Sequence, residues 1–130
     1  MYAPAHSSAY ESYISAQYLS QTGGSKFKAG EALEMRIDAY HAIPASAPSA
    51  RKTAMEDGEI RPVKKPDIDN IAKSVLDALN NVAYRDDSQV VECHARKFYS
   101  SQPRVEITIL VAQTKMVHDA EKRKGDSNDN

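Results

Sequence analysis

Between Lys64 and Val90 the chain reads KKPDIDNIAKSVLDALNNVAYRDDSQV, and this stretch constrains the rest more than any other. Asp67 and Asp69 open a helical pattern just after Pro66, and Asp86 and Asp87 form a second acidic pair beyond the turn that ends it. Carboxylates crowded together repel and raise one another's pKa unless a cation compensates. A divalent ion held by oxygens is the usual reason such a group is tolerated, and Mg²⁺ favours carboxylates with retained waters.

The same stretch holds two stripes at helical spacing. Ile68, Ile71, Ala72, Val75 and Leu79 form an apolar face that predicts packing on a sheet. Asp69, Lys73 and Asp77 recur at i, i+4 and i+8 on another face. The helix is expected from Asp67 or Asp69 to about Asn80. Asn80-Asn81 is its stop, because Asn accepts left-handed geometry.

Upstream, Pro4 to Ser7 reads as a helix entry with Ser7 or Ser8 as N-cap. Tyr10, Tyr13, Ile14 and Tyr18 then share one face, read as a packing surface, and Gly23-Gly24 ends the helix. Residues 32–41 alternate, with Leu33, Met35, Ile37 and Ala39 on the buried side of a strand. A short helix is expected over 47–55, with Pro48 in its first turn and Glu56-Asp57-Gly58 closing it. Residues 59–65 form a basic, proline-bearing loop.

Downstream, residues 89–99 predict a strand, with Val91, Cys93, Ala95 and Tyr99 on one face and Glu92, His94 and Arg96 on the other. Ser100 to Pro103 is a turn. Residues 104–111 alternate again, with Val105, Ile107, Ile109 and Val111 inward. The two strands are expected to form a hairpin. Antiparallel or mixed strands with helices on one face make the fold class α+β. Residues 1–112 are expected to form the domain, and 113–130 a charged, flexible tail.

At 130 residues the chain fits one domain. Its single Cys93 excludes an internal disulfide, fits a reducing compartment and is expected to be buried and inert. No apolar run approaches membrane-spanning length, so a cytoplasmic location is expected. The net charge of −1 is not that of a typical nucleic-acid binder. The acidic cluster and the tail, however, mask a local basic patch of Arg51, Lys52, Arg61, Lys64 and Lys65. A basic rim beside a metal site is what a phosphodiester substrate needs. For any one of these side chains an ordinary solvated role is about as plausible.

The elements Lys65-Pro66-Asp67-Ile68-Asp69-Asn70, then Lys73, then Asp77-Ala78-Leu79-Asn80, then Asp86-Asp87-Ser88-Gln89-Val90 resemble the RusA family of Holliday junction resolvases. These are small endonucleases, often encoded by phages or prophages. The resemblance extends more loosely from Tyr2 to Val111. It implies a homodimer acting on four-way DNA junctions in recombination and repair, with Mg²⁺ or Mn²⁺ as cofactor. It places metal ligands and catalytic carboxylates at Asp67, Asp69 and Asp87, and an essential lysine at Lys73. Asp86 is the weaker choice of its pair. Asp77 is left between orienting Lys73 and bonding nearby backbone. Asn70 is left between a cap and a contact behind the ligands. The family also begins with a strand and a Gly-, Pro- and Arg-rich loop that this chain is expected to lack, leaving a sheet edge open.

Each element has a plainer reading. An Asp at a helix start is often only a cap, an Asp pair after a helix often a turn, and an i, i+4 Asp–Lys pair often a surface salt bridge. In this order, together, they favour catalysis. Two rivals stay open: a catalytically inactive DNA-binding or scaffold protein, and another metal-dependent phosphotransfer enzyme. No Gly-rich phosphate loop or Ser-His-Asp context competes, and His6, His41, His94 and His118 lack metal-ligand spacing.

Overall fold

The structure is a computed structural model, and it describes residues 8–113. The expected entry at Pro4 to Ser7 and the expected tail lie outside the described residues, apart from Gln113.

The order is helix α1 (Ser8–Thr22), strand β1 (Leu33–Ala42), helix α2 (Ser49–Glu56), helix α3 (Ile68–Leu79), a 3₁₀ turn over Asp87–Gln89, strand β2 (Val90–Ser100) and strand β3 (Arg104–Val111). Three strands form one mixed sheet, so the α+β class holds. The expected hairpin does not form. The sheet order is β2-β1-β3, with β2 parallel and β3 antiparallel to β1. The connection Ser101–Pro103 therefore crosses the end of β1 instead of folding β3 back onto β2. β1 earns the central place because its alternation is the cleanest. Leu33, Met35 and Ile37 are fully buried and Ala39 nearly so. Removing each large aliphatic side chain from water is worth about 1.5–3 kcal/mol.

Helices α1 and α3 cover that face. Ile14 meets Ile71, Val75, Ala78, Leu79, Ala83 and Tyr84 in the same core. The Ser15 hydroxyl donates to the Ala78 carbonyl at 2.6 Å and ties the helices together. Asn81 takes the left-handed conformation (φ 60°) that lets the chain leave α3, as the Asn pair predicts. Tyr84 then tucks back beneath the helix and donates its hydroxyl to Leu76 O at 2.9 Å. Burial, then the nearby Asp87 and Asp77 carboxylates, push that phenol well above its ordinary pKa.

Five single positions differ from expectation. Tyr13 is 63 % exposed, at the margin of the α1 face whose centre, Ile14, is buried. Ile68 is 42 % exposed, because the first turn of α3 overhangs the sheet. Val91 is exposed at the register shift opposite Leu33/Glu34, where one residue of β2 is left without a partner. Cys93 is exposed because β2 is an edge strand that α3 covers only in part. Val111 is exposed at the end of the other edge strand, although it is paired with Leu33. Among the described residues no helix is long and apolar enough to cross a membrane.

Candidate nuclease site

The basic loop ahead of α3 is fastened to edge strand β2 through main-chain acceptors. Arg61 Nε donates to Lys97 O at 2.7 Å, and the guanidinium carbon sits 4.2 Å from the Phe98 ring centroid. Lys97 Nζ donates back to Lys64 O at 2.5 Å, while Lys64 Nζ lies 5.8 Å from the Tyr99 ring. Helix α2 is tied in at the same end of β2. There the Glu56 carboxylate accepts from the Ser101 amide at 2.9 Å and from its hydroxyl at 3.1 Å. Lys52 lines a shallow depression there with Thr53, Glu56, Ser100 and Ser101. Arg51, Lys52, Arg61, Lys64 and Lys65 are all exposed, and the loop and α2 gather them toward the C-terminal end of β2. Lys97 joins them and was not singled out in the sequence. Its signal was a cation beside Phe98 and Tyr99 in a strand.

Asp67 and Asp69 lie at this end as well. Asp67 is the N-cap of α3 by backbone geometry, and its carbonyl accepts from Ile71 N at 3.0 Å. Its carboxylate accepts from Lys65 Nζ at 2.8 Å. That hydrogen bond, then the charges of Asp67 and Asp69, raise the Lys65 pKa. Asp69 stands in the first turn with its carboxylate unpaired among the described residues. The positive end of the helix favours both anions there. Lys73, 69 % exposed, lies one turn on, 3.9 Å from Asp77.

Asp86 and Asp87 belong to the other end. The Asp87 amide donates to Asn80 Oδ1 at 3.1 Å, and Asn80 is the C-cap of α3. Twelve helical residues separate that cap from Asp67, about 18 Å at 1.5 Å per residue. The strand repeats the separation. Lys97 touches the loop before Asp67, whereas Asp87 precedes Val90, about 23 Å away along seven strand positions. The Asp86 carboxylate accepts from the Ser88 hydroxyl. The Asp87 carboxylate has no side-chain partner among the described residues. Gln89, buried beneath them, accepts from the amides of Arg85 (3.1 Å) and Asp86 (3.2 Å) and donates to the carbonyls of Lys28 and Glu31 (3.0 Å each). Its role went unseen in the sequence, where a single Gln carries no signal.

Oxygen donors of this kind suit Mg²⁺, but ligand oxygens around one Mg²⁺ lie about 3 Å apart. Among the described residues no group of three His, Cys, Asp or Glu is placed to hold an ion. One chain brings Asp67, Asp69 and Lys65 together at the start of α3, sets Lys73 one turn on with its ammonium toward Asp77, and keeps Asp87 at the far end of the helix.

The uncovered face of the sheet adds an aromatic pair. Tyr40 stacks on Phe98 at 5.5 Å between centroids, with Arg104 4.0 Å over Tyr40 and Arg96 5.1 Å over Phe98. Arg96 holds Asp38 bidentately at 2.8 and 2.9 Å, which keeps the Asp38 carboxyl below its usual range. His94 lies 3.6 Å from Glu34, a structural placement.

Comparison with known proteins adds the following. A family model described as "Endodeoxyribonuclease RusA" matches residues 1–110. A curated relative, "Uncharacterized protein YqaN" of Bacillus subtilis (strain 168), is 46% identical over 79 residues, covering 59% of this chain and 56% of that protein. The chain thus matches little more than half the length of that relative. No solved structure matches.

Proposed function

Starting from a chain that belongs to the RusA endodeoxyribonuclease family, we propose that it is a structure-specific endonuclease that hydrolyses phosphodiesters at four-way DNA junctions during recombination and repair. Mg²⁺ is its proposed cofactor, Mn²⁺ a substitute, and a homodimer its proposed working form. One observation carries the reading: the exposed basic loop and α2 converge on the end of β2 where Asp67 and Asp69 stand, with Lys73 one turn further along α3.

Each group has a task in this reading. Arg61 and Lys64, fixed against β2, hold phosphates in register. Arg51, Lys52 and Lys65 add charge that draws the backbone in. Lys73 stands one turn beyond Asp69, and in this reading its exposed ammonium leaves Asp77 to meet charge developing on the scissile phosphate. Asp67 and Asp69 hold their negative charge at the helix terminus. Two junction arms related by near two-fold symmetry suit a two-fold dimer that cuts opposed strands.

The test is cleavage of an end-labelled synthetic four-way junction with and without Mg²⁺, beside a linear duplex of the same sequence. Paired cuts in the junction alone, abolished by EDTA, are the expected result. A gel shift with no cleavage in Mg²⁺ would replace this reading with that of a junction-binding protein without catalysis. Hydrolysis of small phosphate esters with no action on branched DNA would replace it with another phosphotransfer chemistry.

A further inference from the structure

The sheet face turned away from the core carries a continuous stack that the groups at the start of α3 do not use. In register, Arg104 of β3, Tyr40 of β1 and Phe98 of β2 lie side by side across the three strands. Arg104 sits 4.0 Å over Tyr40, Tyr40 stacks on Phe98 at 5.5 Å, and Arg61 closes the row 4.2 Å over Phe98. We infer that this row is a platform for unpaired DNA bases. A short single-stranded segment stacks its bases on the row, and its backbone follows the basic loop around the edge of β2 toward Asp67 and Asp69. The inference rests on the reading of the chain as a DNA endonuclease, and it names the feature of the DNA that this face takes.

The end of the row suits such a ligand. β2 is an edge strand, so Arg61 is the outermost layer, and it is exposed. Its Nε is engaged by Lys97 O, while among the described residues its two amino groups bond nothing. The guanidinium plane offers one more stacking surface, and its free N–H groups can meet a phosphate. A base in a duplex is already stacked on its neighbours, whereas an unpaired base gains that contact here.

The charge around the row matches a nucleic-acid strand. Asp38 is held bidentately by Arg96, and Glu106 accepts from Arg104. Arg61, Arg51 and Lys52 have no ion-pair partner among the described residues. The next register pair beyond the rings, Ala42 and Ser100, lines the shallow depression that Lys52 shares. Uncompensated positive charge thus gathers at the aromatic end of the face.

The loop supplies the path. Successive residues of a strand point to opposite faces, so Phe98 and Tyr99 mark the two sides of β2. Arg61 lies over Phe98 on the outer side. Lys64 lies 5.8 Å from Tyr99 on the core side, where Lys97 Nζ holds Lys64 O. The loop therefore wraps the edge of β2 and leads from the platform to the start of α3.

An abasic strand tests this, because it keeps the phosphates and removes the bases. Fluorescence anisotropy is measured in EDTA, where nothing is cut, with a labelled thymidine strand of about 12 nucleotides, an abasic strand of equal length and a duplex. The wild type should bind the thymidine strand roughly tenfold or more tighter than the abasic one. Phe98→Leu with Tyr40→Leu should collapse that preference while changing abasic binding much less. Arg61→Lys, which keeps the charge without the plane, should also reduce it. Circular dichroism melts confirm that the variants fold. A measurement on the wild type alone stands beside them: a strand carrying one 5-iododeoxyuridine, irradiated in the complex, should crosslink to Tyr40 or Phe98. Equal wild-type affinity for the thymidine and abasic strands overturns the platform. So do crosslinks that map only to aromatic residues elsewhere, or variants that lose the same factor on all three ligands. A protein that shows the preference and the crosslink yet never cuts a junction upholds the platform and overturns the nuclease reading. One that cuts junctions without the preference overturns the platform alone.

Discussion

Gln89 reaches across 61 residues to donate its Nε2 to the carbonyl oxygen of Lys28 at 3.0 Å, fixing the start of β2 to the loop that leaves α1. The same amide serves the Glu31 carbonyl and accepts from two amides of its own turn. One buried side chain thus satisfies four main-chain groups, and Asp86 and Asp87 are held in place by it.

Gln89→Ala should therefore cost roughly 2–3 kcal/mol, the range for orphaning buried polar groups. Gln89→Glu should cost a similar amount, because it removes both donors and sets a carboxylate against two carbonyls. Urea unfolding of the three proteins measures this. A loss below about 0.5 kcal/mol for Gln89→Ala would mean that water replaces the side chain without penalty.

The sequence showed which faces are buried more readily than which strands are neighbours. Leu33, Met35 and Ile37 alternate as a central strand must, and all three are buried. Period-2 alternation says nothing about the partner, however, and a three-residue link between two strands looks like a hairpin whether or not it crosses a third. The candidate site divides in the same way. The spacing of Asp67, Asp69 and Lys73 on one helix end was legible because helix geometry is local. The placement of Asp87 at the opposite end follows from the antiparallel run of α3 and β2, which is tertiary. Lys97 was illegible as a partner of the loop because its contact is with the Lys64 main chain.

Arg61 and Arg51 should separate positioning from plain charge. Arg61 is stacked on Phe98 and bonded to Lys97 O, whereas Arg51 stands exposed on α2. Arg61→Ala should weaken junction binding and also lower stability by about 1 kcal/mol, through the lost hydrogen bond and cation–π contact. Arg61→Lys should not restore binding, since an ammonium cannot reproduce the planar stack. Arg51→Ala should leave stability unchanged and reduce the salt dependence of binding by roughly one phosphate contact. Fluorescence anisotropy at several salt concentrations, with thermal melts, reads both. Equal behaviour of the two alanine variants would remove the special role given to Arg61.

His41 predicts a pH dependence. Its Nε2 is buried without a hydrogen-bond partner. Burial, then the nearby Lys97 and Lys64 charges, lower its pKa. The folded state thus keeps the imidazole neutral where the unfolded chain, with a pKa near about 6.5, takes up a proton. The unfolded state binds more protons below that pH, so this contribution to stability is whole above it and is lost as pH falls toward the folded-state value. Urea midpoints measured between about pH 7.5 and pH 5 should decline for the wild type and decline less for His41→Gln. The Asp38 carboxyl, held low by its bond to Arg96, acts only in the more acidic carboxylate range and leaves this window clear. Parallel declines in the two proteins would show that His41 does not titrate on unfolding.

Lys73 and Asp77 stand 3.9 Å apart on an exposed helix face, too far and too wet for the pair to carry much stability. A surface i, i+4 pair is worth about 0.3–0.5 kcal/mol. Asp77→Asn should accordingly change the melting temperature little. If the Lys73 ammonium acts on charge that develops as the phosphodiester breaks, Lys73→Ala should slow single-turnover cleavage by roughly a hundredfold or more, while junction affinity changes far less. Lys73→Arg keeps the charge but spreads it over a planar group, so it should recover only part of the rate. Rapid-quench cleavage with enzyme in excess, together with binding measured without divalent ions, separates rate from affinity. Losses of equal size in both would make Lys73 one more phosphate contact among those of the basic loop, with no part in the chemical step.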